Sequence, residues 1–488
     1  MPPKTYFIKT FGCQMNISDS ERIAGLLERP HPNPLLSKER GLKLAKNINE
    51  ADLVIFNTCG IRQAAENRAY SIIHTLRKSR PKIKIILTGC LANRKDVQER
   101  LKDKVDLFCE IKDFIKLENW IIRNCLETLP TGRQVRNSKL EILAQKDALQ
   151  RDKNINYLST LPKHTNKHQA LVPVMTGCNN FCSYCVVPYA RGREVSRPAE
   201  EIINEIKTLI KNGCREITLL GQNVNSYNYS SRSKSEALEA NVVSTLDSRL
   251  RRNDNNTITF PKLLRKIEKI PGHFWIRFMS SHPKDFSDEL IETIAKSKKV
   301  CEHIHLPIQA GSDKILAAMN RKYTAQHYLG LIKKIRTAFK KFKPDAPYSI
   351  TSDIIVGFPG ETKKDFLETA RIMEKVKYDL VYFGQFSPRP GTVAWKLKDS
   401  VSKQEKSRRE KYLNEILART TFAKNKKYVG KILEVLVDSE KNGFYFGRTR
   451  SGKDVKIITD QKNLTEKFVK VKITKANIWN LEARLLEK

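Results

Sequence analysis

The chain contains no apolar run approaching the roughly 18 residues of a membrane span, so no spanning helix is expected. Its opening, MPPKTYFIKTFGC, lacks the apolar core and small-residue cleavage site of a signal peptide, and a cytoplasmic location is expected. Acidic residues are in short supply: 53 Asp and Glu face 90 Lys and Arg across 488 residues, a formal charge of +37. That deficit suits a polyanionic partner, because each neutralised phosphate releases counterions; a generally basic surface would leave the same formal charge. Cysteine is sparse, at ten residues. In a reducing compartment these are expected as metal-cluster ligands or core thiols and not as disulfides.

Three of the ten stand together. Cys178, Cys182 and Cys185 form a C-x3-C-x2-C loop after the β-branched run LVPVMTG. No second C-x2-C knuckle or C-x2-H follows to complete a zinc ribbon; a zinc knuckle completed by a histidine, or three unrelated core cysteines, are the alternative readings. Three thiolates are one short of a tetrahedral zinc or a fully protein-held cubane, so a 4Fe-4S cluster here would keep one iron open for chemistry.

Residues 3 to 126 alternate strand and helix patterns and are expected as an α/β domain with a parallel sheet. YFIKTF ends at Cys13, DLVIFNT at Cys59 and KIILTG at Cys90. Successive parallel strands end on one edge, where open α/β folds place ligands, so these three cysteines can meet as a second trio. Ser18-Asp19-Ser20-Glu21 reads as a capping box opening a helix. Cys109 and Cys125, inside VDLFCEI and WIIRNCLETL, read as structural. Residues 29 to 41 read as a surface insertion and 127 to 168 as a linker, with a helix around Leu140 to Leu149.

Residues 169 to 423 repeat a β-then-α rhythm, with strands at EITLLG, FWIRFMS, EHIHLPI, ITSDIIVG and LVYFGQF. With the strand before Cys178 that makes six βα units, an incomplete parallel barrel with its chemistry at the C-terminal strand ends. Pro198 begins a helix. Residues 225 to 259, rich in Ser, Asn and Arg, read as a surface insertion, and Cys214 and Cys301 as core thiols. Residues 424 to 488 change character: KILEVLV, GFYFGRT, KDVKIIT and KFVKVKI predict a small antiparallel β-barrel. Its basic strands and aromatics suit single-stranded nucleic acid, with Phe444 and Phe446 on one face, expected to fill the core, and Tyr445 on the other.

FGCQMN, NTCGIR, LTGC and GCNNFCSYC, in this order and followed by the small barrel, resemble the methylthiotransferase family of radical S-adenosylmethionine (SAM) enzymes. The resemblance covers nearly the whole chain and implies an α/β N-terminal domain, a partial (βα)6 radical-SAM barrel and a C-terminal TRAM barrel that binds RNA. VVPYARGREVSRP, LLGQNVNSY, HLPIQAGSDKILAAMNRKYT, TSDIIVGFPGET and FSPRPGT most resemble the branch that modifies isopentenylated adenosine in tRNA. HLPIQAGS, where a serine often follows the Gln, is a mild departure. The resemblance further implies two 4Fe-4S clusters, one on Cys178, Cys182 and Cys185 that cleaves SAM and an auxiliary one on Cys13, Cys59 and Cys90 that handles sulfur. One SAM methylates that sulfur and a second makes the radical that attacks position 2 of the adenine, an unactivated C–H bond beyond acid-base catalysis.

Tyr184 is a candidate to pack on the SAM adenine, or else to brace the cysteine loop; Gly221, Gln222, Ser281, His305, Gln309 and Asp353 are candidate SAM or substrate contacts, each equally readable as a barrel-rim residue. Arg191, Arg193 and Arg197 are candidates for tRNA phosphates. The expected partners are tRNA, SAM, a one-electron reductant and a sulfur donor, without a membrane, and the chain is expected as a monomer. Rival readings are a sibling methylthiotransferase acting on threonylcarbamoyladenosine or a ribosomal-protein aspartate, and a non-enzymatic RNA-binding iron-sulfur redox sensor.

Overall fold

Parallel strands buried on both faces read as continuous apolar runs, and LVIFNT and KIILTG take that role at the centre of the first sheet. In the computed structural model, which describes residues 3–29, 41–60, 63–125, 157–230 and 257–486, five parallel strands are ordered β2-β1-β3-β4-β5. They are β1 (Thr5–Thr10), β2 (Lys43–Leu44), β3 (Leu53–Thr58), β4 (Lys84–Gly89) and β5 (Leu107–Phe108). Val54, Phe56, Ile85 and Leu87 pack to one side of the sheet, and Tyr6, Leu53, Ile55 and Ile86 to the other. The described residues divide into two units, and this first one holds the chain to Thr165 together with Val186–Arg193. Its residues after 156 are docked: Tyr157 and Leu158 are buried, and Thr165 donates N–H to Glu21 at 2.9 Å.

The capping-box reading is corrected. The helix begins at Gln14, with Cys13 as its N-cap, and runs to Leu27. Ser18, Asp19, Ser20 and Glu21 lie within it and are buried, with Ser20 bonded to Thr10 at 2.7 Å and Asp19 paired with Arg191. Short polar residues in sequence signal a helix start because they bond backbone groups; here they bond other segments instead. Residues 30–40 of the expected insertion at 29–41, residues 127–156 of the expected linker with its helix around Leu140 to Leu149, and residues 231–256 of the expected insertion at 225–259 lie outside the described residues.

In the second unit, β6 (Gln169–Pro173) is followed by a small hairpin of β7 (Met175–Thr176) and β8 (Val195–Ser196). Next come β9 (Glu216–Leu220), the antiparallel pair β10 (Asn228–Ser230) and β11 (Thr257–Thr259), and then β12 (Trp275–Phe278), β13 (His303–His305), β14 (Ser349–Val356) and β15 (Leu380–Gln385). β6, β9 and β12 are parallel neighbours, as are β13, β14 and β15, and a parallel bridge from Ile276 to Val300 joins the two sets. Six strands in chain order, with β6 and β15 at opposite ends, make a partial barrel.

The last strands, β16 (Ile432–Lys441), β17 (Phe444–Thr449), β18 (Asp454–Ile458), β19 (Phe468–Ala476) and β20 (Leu481–Leu485), close into a barrel of order 16-17-18-20-19. β20 (LEARL) escapes the sequence reading because two charged residues interrupt its five positions; it closes the barrel between β18 and β19. Tyr445 lies in the barrel core with Val435, Val455 and Val471. Phe444 and Phe446 are half-buried on the outer face, so the expectation that they fill the core is corrected.

The turn between β17 and β18 seals the N-terminal ends of the six-stranded barrel. Arg277 pairs with Glu216 at 2.6 Å and donates to the carbonyls of Thr449 and Arg450. Arg450 reaches Glu302 at 2.9 Å, and Lys453 reaches Asp379 at 2.9 Å. Burial would raise all three carboxyls, but Arg277 and Arg448 at Glu216, Arg450 and Lys343 at Glu302, and Lys424 and Lys453 at Asp379 outweigh it and hold each below its ordinary value. Burial, with Arg277 and His305 nearby, pushes His303 down to about 3.

The signs combine. A neutral buried His303 contributes full stability above its unfolded value of about 6.5 and loses it as pH falls toward its folded value; the carboxylates contribute fully above about 4.5 and lose it below. Thermal melts are therefore expected to be level from about pH 8 to 7, to decline below about 6.5 and to steepen below about 4.5. Arg450→Ala, which leaves Glu302 to Lys343 alone, should cost roughly 2 to 3 kcal/mol in the same melts at neutral pH.

Candidate functional site

The first cysteine trio is placed by strand register. Thr10 is opposite Asn57, Asn57 opposite Thr88, and Thr58 opposite Gly89, so Cys59 and Cys90 leave adjacent strands side by side and Cys13 leaves the third. The Phe11 N–H donates to Asn57 O at 2.8 Å and the Cys90 N–H to Thr58 O at 2.9 Å. Asn16 sits between them: its Nδ2 donates to Asn57 Oδ1 at 3.0 Å and Thr58 O at 3.1 Å, while its Oδ1 is 3.3 Å from Cys13 Sγ. Cys13 is exposed; Cys59 and Cys90 are buried.

One position in this cradle admits no side chain, and a second leaves little room for one. Gly12 has φ +124°, and a Cβ there would lie 2.7 Å from Cys59 Cβ; one at Gly60 would lie 3.2 Å from Cys90 Cβ. Among the described residues, no three His, Cys, Asp or Glu side chains stand as preformed ligands of a single ion. A cubane places its irons at separate corners and asks for thiols around a shared space. Three cysteine side chains on three neighbouring strand ends, with glycine where a Cβ would intrude, fit a 4Fe-4S cluster. Arg191 is buried near Cys90 and paired with Asp19 at 2.6 Å.

The second trio sits on the loop after β7. Ser183 N–H donates to Met319 O at 3.0 Å, its Oγ to Ala318 O at 2.8 Å, and its carbonyl accepts from Ala394 N–H at 2.7 Å. Asn320 Nδ2 donates to Phe181 O at 2.9 Å, and both residues hold left-handed backbone, φ 56° and 47°. Cys185 N–H closes onto Cys182 O at 2.9 Å. Burial raises the Cys178 thiol above its ordinary value, so it becomes a thiolate when a metal binds. Tyr184 packs against the apolar cluster of Leu316, Met319, Tyr323 and Phe358.

Beside this loop lies a group of unsatisfied polar atoms. Gln222 Oε1 and Asn223 Oδ1, beyond β9, and Ser281 Oγ and His282 Nε2, beyond β12, are buried without a hydrogen-bond partner. Native structures rarely leave four such atoms together unless something else satisfies them. The loops carrying them are tied, Asn225 Nδ2 to His282 O at 2.9 Å and His282 N–H to Asn225 Oδ1 at 2.8 Å. Gly221 is buried against Met175. Lys284 N–H donates to His282 Nδ1 at 3.2 Å, and Lys284 Nζ reaches Asn180 Oδ1, between the cysteines, at 3.0 Å. Burial, with Arg321 and Lys284, pushes His282 down to about 2, leaving it neutral with Nε2–H free to donate. Glu194 accepts from Asn179 N–H at 3.3 Å, and burial raises its carboxyl. Donors and acceptors of this kind suit the amino acid and ribose groups of SAM.

Across the barrel, His305 Nδ1 lies 3.0 Å from Thr351 Oγ1 and its Nε2 3.4 Å from Asp353. Gln309 has φ 71°, and its N–H donates to Asp353 O at 2.9 Å. Tyr382, 49% exposed, lies 6.0 Å ring to ring from His305.

Sequence reasoning missed Asn223, His282, Arg321, Glu194 and Tyr382. MSSHP and MNRKYT carried the signals for His282 and Arg321. The phosphate role for Arg191 and Arg197 is corrected: both are buried, Arg197 against Glu205 at 2.5 Å and Glu201 at 3.2 Å, while Arg193 is exposed. Cys109, Cys214 and Cys301 are buried, and burial raises their thiols to about 12, 11 and 11; the Cys125 side chain lies outside what is described. On the outer face of the small barrel Lys456 Nζ stands 3.5 Å from the centre of the Phe444 ring.

Three family models match in order: the uncharacterized protein family UPF0004 over residues 5–110, the radical SAM superfamily over 172–373 and the TRAM domain over 426–486. The chain is 40% identical to the tRNA-2-methylthio-N(6)-dimethylallyladenosine synthase of Thermoanaerobacter pseudethanolicus, covering 99% of this chain and 93% of that relative. It is 41% identical to the enzyme of the same name from Clostridium novyi, covering 99% and 97%.

Gly12→Ala is expected to crowd Cys59 and empty the first cradle. Iron analysis after anaerobic reconstitution should find about half the wild-type content, with SAM still bound at the second cradle.

Proposed function

We propose, from the fact that the chain belongs to the radical SAM methylthiotransferase family, that it converts N6-(dimethylallyl)adenosine just 3′ of the anticodon of tRNA into its 2-methylthio derivative. It is a sulfur-transferring enzyme that uses SAM and 4Fe-4S clusters. The observation that carries the choice of substrate is the identity of about 40% over the full length to synthases of that name. Bound clusters and SAM together supply the radical that breaks the adenine C2–H bond and the sulfur that replaces it.

The residues divide the work. Cys178, Cys182 and Cys185 are the ligands of the SAM-cleaving cluster, and Cys13, Cys59 and Cys90 those of the auxiliary one. Gly221, Gln222 and Ser281, with Asn223 and His282, hold SAM: they lie at two strand ends, all buried but the half-buried Gln222, and Gln222, Asn223, Ser281 and His282 carry the unpartnered polar atoms. A neutral His282 donates its Nε2–H to an acceptor. His305, Gln309 and Asp353, with Tyr382, line the substrate side, where Tyr382 offers an exposed ring for base stacking. Residues 3–126, 169–423 and 424–488 serve as sulfur, radical and RNA-binding domains. The outer face with Phe444, Phe446 and Lys456, together with Arg193, meets tRNA. A one-electron reductant and a sulfur donor are required, and the protein works as a cytoplasmic monomer. Among the described residues no helix is long and apolar enough to cross a membrane.

Mass spectrometry of tRNA nucleosides from a deletion strain should show the methylthio product replaced by N6-(dimethylallyl)adenosine. Plasmids carrying any one of the six cysteines changed to alanine should fail to restore it. Loss of methylthiolated threonylcarbamoyladenosine instead would assign the sibling substrate. Phe444→Ala and Phe446→Ala should each weaken tRNA binding by about tenfold in filter-binding assays, since a stacked base contributes about 1 to 3 kcal/mol.

A further inference from the structure

Arg321 is a buried cation whose partners differ from those of four other buried arginines. Its side chain is clamped three ways: Nε donates to Tyr323 Oη at 3.0 Å, Nη2 to Pro307 O at 3.1 Å and Nη1 to Cys182 Sγ at 3.4 Å. Arg191, Arg197, Arg277 and Arg409 each face a carboxylate, at 2.6, 2.5, 2.6 and 2.6 Å. Among the described residues no carboxylate forms an ion pair with Arg321. A buried charge is ordinarily paired, and the one anion-forming partner that Arg321 touches directly besides the Tyr323 phenol is the sulfur of Cys182. Tyr323 is itself fixed, its hydroxyl donating to Ile308 O at 2.7 Å, so it accepts from Arg321 as a neutral phenol.

The clamp sets the geometry before any ligand arrives. Arg321 follows Asn320, whose amide holds Phe181 O, and the preceding Met319 and Ala318 carbonyls hold Ser183. The same turn that fixes the cysteine loop therefore aims the guanidinium at the middle cysteine. From this geometry we infer that Arg321 is a positioning residue that sets the reduction potential of the cluster held by Cys178, Cys182 and Cys185, by donating a charge-assisted hydrogen bond to the Cys182 thiolate. The inference rests on the ligand assignment made above.

The electron balance is simple. A cubane core with two positive charges and three thiolates carries one negative charge; one electron from an external low-potential donor leaves it with two, and no proton moves. A fixed guanidinium against a ligand sulfur favours the more negative state, and hydrogen bonds to sulfur are among the factors that tune such potentials. Arg321 thereby makes a strongly reducing cluster easier to reduce.

The test uses the full chain with Cys13, Cys59 and Cys90 all changed to alanine, so that one cluster remains, titrated anaerobically with titanium(III) citrate and followed by electron paramagnetic resonance. A SAM-sensitive reduced signal in this parent establishes the ligand assignment; its absence defeats that assignment and leaves the inference without a cluster. In Arg321→Met the ratio of reduced to oxidised cluster at the parent's midpoint should fall about tenfold, a shift of about 59 mV for one electron. Arg321→Lys should lie between, keeping the charge without the fork. Tyr323→Phe, which preserves the charge and frees Nε, supplies a milder variant should Arg321→Met fail to retain iron, and should shift the midpoint in the same direction. Unchanged midpoints in Arg321→Lys and Tyr323→Phe, or a loss of SAM affinity at constant midpoint, would overturn the inference.

Discussion

A thiol that is to hold iron must be presented where the backbone has finished its own hydrogen bonding, and parallel strands do this at their C-terminal ends. The first sheet delivers Cys13, Cys59 and Cys90 from three neighbouring strands, held in register by pairs such as Asn57 with Thr88. The partial barrel instead delivers Cys178, Cys182 and Cys185 on one loop and holds it through Ser183, whose backbone bonds Met319 and Ala394 and whose hydroxyl bonds Ala318. Both solutions provide three thiols. The chemistry proposed for the protein needs the vertex that a cubane held by each trio would leave open.

The barrel separates stability from reactivity by its two ends. At the N-terminal ends of its strands, charges are matched: Glu216, Glu302 and Asp379 each meet cations from the small barrel. At the C-terminal ends polar groups are left unmatched, Gln222, Asn223, Ser281 and His282 among them. Around the mouth Phe181, Ser280, Gln309 and Asn320 hold positive φ. Strained, unsatisfied groups persist only where surrounding structure holds them, and they gather at functional sites.

Much of this was legible in the sequence where a pattern has one physical reading. Apolar runs of strand length ending in glycine and cysteine give the sheet edges, and the spacing of Cys178, Cys182 and Cys185 gives a loop. Patterns with two readings misled. Alternation in GFYFGRT separates Tyr445 from its neighbours but does not say which face is inside, and the closure of the barrel puts Tyr445 there. Ser18 to Glu21 look like a cap because the sequence does not show that Asp19 pairs with Arg191, a residue 172 positions away. MSSHP and MNRKYT mark His282 and Arg321 as polar residues at barrel loops, but the contacts that distinguish them, with Asn225 and Cys182, exist only in the folded barrel.

The central claim, two open-vertex clusters on two cysteine trios, is tested most directly by anomalous scattering at the iron edge from anaerobically grown crystals of the reconstituted protein. The account predicts two four-iron clusters, one bonded to Cys13, Cys59 and Cys90 and one to Cys178, Cys182 and Cys185, each with one iron free of protein ligands. A single cluster, or a fourth protein side chain on either one, would contradict it.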